Sequence, residues 1–82
     1  MTQTDLFHRP RPDELFTPGT QNWRLYWRLL QGPVSNVEIV HDYNILNSTG
    51  RISEVRGKLR EYLMDIRAER VGNGIFVYSL RG

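Results

Sequence analysis

The sequence predicts one α+β domain, three helices followed by a two-stranded β-hairpin, and three observations carry that prediction. Apolar residues recur at three- and four-residue steps in successive stretches between Thr20 and Glu61. Each stretch opens on a residue suited to capping a helix: Thr20, Ser35, and Asn47 or Ser48. From Ile66 onward the pattern changes to alternation about Gly72-Asn73-Gly74, which marks paired strands joined by a tight turn. With 82 residues there is room for one compact domain.

Residues 1–19 hold three of the four prolines (Pro10, Pro12, Pro18) and show neither periodicity. Proline fixes φ and restrains its predecessor, so Arg9-Pro10-Arg11-Pro12 is expected to be extended. The segment reads as a flexible arm, docked locally by Leu15 and Phe16, with the folded domain over 20–82. The first helix is expected from a Thr20 cap to Gln31, where Gly32-Pro33 stops it. One amphipathic stripe takes Trp23, Tyr26, Leu29 and Leu30. Leu25 and Trp27 then fall off that stripe, either under the arm or at a subunit interface.

Ser35-Asn36-Val37-Glu38 has capping-box spacing, with Ser35 as the cap of the second helix and Glu38 reaching back to it. That helix carries Ile39, Val40 and Tyr43 and ends by Asn44, and Ile45 and Leu46 in the turn are expected to plug into the core. The third helix runs to about Glu61, with Ile52, Val55 and Leu59, extended by Leu63, as its buried stripe. Ser53, Glu54 and Gly57 point away from that stripe. Gly57 costs this helix about 1 kcal/mol relative to alanine, which either close approach of another backbone to a bare exposed position or a distortion of the helix would explain. In the hairpin, Ile66 and Ala68 pair with Phe76, Tyr78 and Leu80 on an inward face, and Arg67 and Glu69 point outward. A lone hairpin is marginal in water, so it must dock on the helices.

Composition excludes several classes. There is no cysteine, so neither a disulfide framework nor a thiolate metal site is available. No apolar run has membrane-spanning length and no signal peptide is visible, which predicts a soluble, cytoplasmic protein. His8 and His41 lie in different segments, and no nucleophile elbow, phosphate loop or carboxylate cluster is present. The expectation is a non-enzyme with no metal and no cofactor. Net charge is only +2, but ten of the eleven basic residues are arginines. Arg51, Arg56, Lys58 and Arg60 fall within ten residues that contain one acid, Glu54. Arginine suits forked contacts to phosphate and guanine, although such a run also describes an ordinary solvated helix face.

The ordered pieces narrow the reading. Gly32-Pro33-Val34-Ser35-Asn36-Val37-Glu38-Ile39 opens a short helix, and Asn47-Ser48-Thr49-Gly50-Arg51-Ile52-Ser53-Glu54-Val55-Arg56 opens a longer one. A hairpin from Asp65 through Gly74 then leads to Tyr78 and Leu80. This order resembles the winged helix-turn-helix domains of small bacteriophage and prophage proteins, in which an Arg-Ile-Ser-acidic-aliphatic-Arg segment opens the recognition helix. The resemblance covers residues 20–80. It implies a three-helix helix-turn-helix core with a C-terminal two-stranded wing, and sequence-specific binding of double-stranded DNA in a bacterial or phage-infected cell. In the related pattern the recognition helix often stops at a glycine soon after the Arg56 position. Here Gly57 is followed by Lys58-Leu59-Arg60-Glu61, so the helix is expected to be about one turn longer.

Carried over by position, the resemblance implies that Ser48, Thr49, Arg51 and Ser53 lead the recognition helix into the major groove. Arg51 is the first choice for a base or phosphate contact, and Arg56, Lys58 and Arg60 are phosphate-positioning charges. Arg67, Arg70 and Asn73 lie on the wing. Surface ion pairs such as Arg56–Glu61 and Arg70–Glu69 are the competing explanation for these charges. A transcriptional regulator or an architectural factor fits such a domain. A homodimer on paired half-sites is among the expected partners.

The alternative is a protein-interaction module that uses Leu25 and Trp27. The arm adds Gln3-Thr4-Asp5-Leu6-Phe7, which looks like the short peptide by which bacterial proteins dock on the replication sliding clamp. In that peptide Gln3, Leu6 and Phe7 would fill the pockets. The arm's Arg-Pro pairs are equally suited to tracking a DNA minor groove.

Overall fold

The computed structural model describes residues 9–81, which form an α+β unit with four helices and a three-stranded antiparallel sheet. In chain order the elements are α1 (Pro12–Leu15), α2 (Gln21–Leu29), β1 (Val34–Ser35), α3 (Asn36–Tyr43), α4 (Ser48–Arg60), β2 (Asp65–Gly72) and β3 (Ile75–Arg81).

Residues 9–19 pack against the core, although no periodicity announced it. Pro12 sits in the first turn of α1 with Asp13 and Glu14, where a missing amide costs nothing and acids meet the positive helix end. The single turn buries Leu15 and sets Phe16 edge-on to Tyr26, ring centroids 6.0 Å apart. Two side-chain bonds then fasten the segment to α2. Trp23 Nε1 donates to Asp13 at 2.6 Å, and the Tyr26 hydroxyl donates to the Pro10 carbonyl at 2.7 Å. Arg9-Pro10-Arg11-Pro12 is therefore laid along the helices.

Thr20 caps α2 as expected, accepting from the Trp23 amide. The burial of α2 differs from the expected stripe. Leu25 is fully buried, with Tyr26 and Leu29, because α2 packs against α3, α4 and β3 as well as α1. Trp27 alone of the off-stripe pair is exposed, at 44%.

Ser35 caps α3 by accepting from the Glu38 amide at 3.0 Å. The reciprocal half of the capping box is absent. Glu38 turns instead to Arg28 on α2, 2.9 Å away, a charged partner that outcompetes a neutral amide. Asn44 ends α3 in the left-handed region, and Ile45 then enters the core. Leu46, expected beside it, is exposed. Asn47 caps α4 and is itself left-handed, at φ 55°. Ile52, Val55 and Leu59 form the buried stripe. Leu63 lies beyond the helix end at φ 60°, with 91% of its surface exposed, and Met64 fills the core in its place.

The expected two-stranded wing is part of a larger sheet. β1 joins β3 with Val34 opposite Tyr78 and Ser35 opposite Val77, giving the order β1-β3-β2. Two residues are too few to show alternation, so this strand had no sequence signature. β2 and β3 pair from Asp65–Arg81 to Gly72–Ile75, with an irregularity between Arg70 and Gly72. Gly74, at φ 73°, is the residue of the turn that takes the left-handed conformation. Ile66 and Tyr78 are buried as expected, whereas Ala68 is exposed, because no helix reaches far enough along the hairpin to cover it.

Candidate nucleic-acid interface

An open cleft of about 350 Å³ separates α4 from the hairpin. The helix contributes Thr49, Ile52, Ser53 and Arg56, and the sheet contributes Ile66, Ala68, Phe76 and Tyr78. Its floor is apolar because Ile52, Ile66 and Tyr78 belong to the core cluster. Hydroxyls and a guanidinium edge it on the helix side. The alternation of β2 and β3 puts Ile66, Ala68 and Arg70 on this face, with Tyr78 and Phe76 across from Ala68 and Arg70.

The sequence-predicted residues thus fall into groups. Thr49, Ser53 and Arg56 line the cleft, and Arg70 shares the sheet face that bounds it. Arg51 and Lys58 stand on the other side of α4. Arg51 Nη1 meets Glu54 at 2.9 Å, and the same carboxylate oxygen accepts from Asn22 of α2 at 2.9 Å. Lys58 lies 3.6 Å from Glu61. Ser48 opens α4 and is half-buried. Arg67 is exposed on the sheet face opposite Arg70. Arg70 folds back on the turn, its Nε toward the Gly72 carbonyl and its Nη2 toward Asn73, both at 3.3 Å.

The ion pairs differ from those foreseen. Arg56 bonds Asp65 at 2.6 Å, and Arg60 lies 3.9 Å from the same carboxylate. Asp65 is the first residue of β2, so α4 and the hairpin are tied where they join. The Arg56 hydrogen bond, followed by the Ile66 amide, holds the Asp65 carboxyl below its ordinary range. These pairs are largely exposed, so solvent screens them and their net attraction is small. Arginines so lightly held can exchange a carboxylate for a phosphate.

Leu25, expected at a protein interface, is inside the core, and Trp27 is exposed without it. Gln3, Leu6 and Phe7 lie outside the described residues. Two contributors were not singled out from the sequence. Phe76 was placed on the correct face but as packing, and it is 36% exposed at the cleft. Asn36 bonds the hairpin turn through its side chain, and nothing in its local sequence marks a partner 38 residues away. No helix among the described residues is long and apolar enough to cross a membrane. Comparison with protein families, with curated proteins and with solved structures finds no match to this chain.

Proposed function

We propose that this chain is a winged-helix protein that binds double-stranded DNA, with α4 as the recognition helix and the β2–β3 hairpin as the wing. The observation that carries the reading is the shared rim. Thr49, Ser53 and Arg56 of α4 line an open cleft whose other wall is the hairpin face that carries Arg70 toward the tip, so helix and hairpin present polar and basic groups on one side of the molecule. A 13-residue helix is about 20 Å long and fits the major groove. On its outward side Gly50, Ser53 and Gly57 have little bulk, which lets the helix lie deep, and Glu54 beside them is neutralised by Arg51; Arg51 and Lys58 flank one side with Arg56 and Arg60 on the other. The short β1 strand, closing the sheet beside the hairpin, fits a wing anchored on the helical core. The role that goes with this activity is a small regulator or architectural factor of a phage or mobile element.

The test is a duplex-binding titration on a random library at several salt concentrations, with Arg51→Ala beside the wild type. Affinity is expected to fall linearly on logarithmic axes, with a slope of about 0.9 per phosphate neutralised. Arg51→Ala is expected to weaken the selected site by about tenfold, within the range for one bidentate base contact. Salt-independent binding, or no duplex binding, overturns the proposal.

A further inference from the structure

We infer that Asn36 is a positioning residue for the wing: its side chain fixes the hairpin tip at a set distance from the recognition helix. The inference rests on the DNA-binding reading above and goes further, to what aligns the two contact elements.

The geometry begins with the sheet. β1 pairs with β3 at Val34–Tyr78 and Ser35–Val77. The next rung falls to Asn36 and Phe76, but at Asn36 the main chain turns into α3 and can no longer supply a strand partner. The side chain supplies it. Asn36 Nδ2 donates to the Gly74 carbonyl at 3.0 Å, and the Phe76 amide donates to Asn36 Oδ1 at 3.1 Å. A carboxamide has the same donor and acceptor as a peptide group, so the ladder gains one rung. None of this serves to cap α3, because Ser35 Oγ already accepts from the Glu38 amide.

What the rung holds is the functional end of the hairpin. The base of the hairpin is fixed by buried Ile66 and Tyr78, whereas Val71, Ile75 and Phe76 nearer the tip are exposed. Phe76 is the cross-strand partner of Arg70, and Arg70 in turn bonds Asn73. Asn36 therefore acts on Arg70 and Asn73 through Phe76 and Gly74. Without it the tip is a two-stranded ribbon, which is marginal by itself in water.

Asn36→Asp separates this role from helix formation. It preserves the shape and puts an anion at the start of α3, where the helix dipole favours one. It also replaces the donor with an oxygen facing the Gly74 carbonyl. The experiment measures duplex affinity and salt slope for the wild type, Asn36→Asp, Arg70→Ala/Asn73→Ala and the triple variant, together with hydrogen exchange at the Phe76 amide. Asn36→Asp is expected to lower affinity about tenfold and to reduce the salt slope by about one to two, as wing–phosphate contacts are lost. In the Arg70→Ala/Asn73→Ala background it is expected to change neither. The Phe76 amide is expected to exchange slowly in the wild type and quickly in Asn36→Asp. Unchanged binding by Asn36→Asp, an equal loss in both backgrounds, or an unprotected Phe76 amide in the wild type overturns the inference and leaves the DNA-binding reading standing. A wild type that binds no duplex overturns both.

Discussion

α2 and α4 are both core helices, yet they are covered differently. α2 is enclosed: α1 lies on one side and α3, α4 and the sheet on others, so Leu25, Tyr26 and Leu29 are all buried. α4 buries the single stripe of Ile52, Val55 and Leu59 and leaves small, hydroxyl and basic residues outward, with Glu54 the one acid among them. The comparison separates scaffold from working surface. Apart from exposed Trp27, the apolar residues around α2 are accounted for by packing, whereas the outward side of α4 packs against nothing and has to be explained by what it meets. Substitutions in α2 should therefore act on stability, and those on the outer side of α4 on binding.

The largest effect is expected at Leu25. Truncation to alanine leaves a cavity in the core, costing about 2–5 kcal/mol. In a chain this small that lowers Tm by at least about 10 °C in a thermal melt. Ser53→Ala on α4 is expected to stay within about 0.5 kcal/mol of the wild type. If the two variants melt alike, the division between the helices fails.

Tyr26 sharpens the comparison through pH. Burial pushes its hydroxyl from an ordinary value of 10 up to about 12, with Glu14 adding to the rise and Arg9 opposing it. The folded state thus keeps a proton that the unfolded chain releases. Its stabilising contribution is complete below pH 10 and is lost as pH rises from 10 to about 12, a change of about 2–3 kcal/mol. Denaturant melts across that interval measure it. Tyr26→Phe is expected to flatten this dependence, at a cost of about 1 kcal/mol for the unpaired Pro10 carbonyl. A slope that persists in Tyr26→Phe assigns the titration elsewhere.

The same contrast explains what could be read from the sequence. Periodicity reports contacts within an element, so the stripe of α4, the caps at Thr20 and Ser35, and the alternation of the hairpin were legible. It is silent on what covers the far side. Leu25 looked misplaced because α2 is covered on several sides, by α1, α3, α4 and β3, which its own periodicity does not report. Pro12-Asp13-Glu14 did carry a helix-start signal, overshadowed by the density of prolines. β1 depends on a pairing 42–44 residues away in sequence, between Val34–Ser35 and Val77–Tyr78, which no local pattern encodes. For the candidate interface, residue types were legible and their grouping was not. Arg51 and Arg56 are near neighbours in sequence, yet one is bound toward α2 through Glu54 and the other toward the hairpin through Asp65.

Gly57 gives the smallest expected effect and the most direct probe of the outer side of α4. The helix continues unbroken through it to Arg60, and a β-carbon built there meets no atom within 4 Å. Alanine is therefore expected to stabilise the fold by about 0.5–1 kcal/mol, through helix propensity and a less flexible unfolded chain. On α2 such a gain would be the whole result. On α4 the added methyl stands on the strip proposed to lie deepest in the groove, so Gly57→Ala is expected to melt higher and bind duplex more weakly, by a few-fold. Stability and affinity moving in opposite directions would mark the position as one where the absence of a side chain serves contact. A variant that melts higher and binds equally well would show that DNA meets α4 along another edge, and would shift the contact strip toward Thr49 and Arg56 at the cleft.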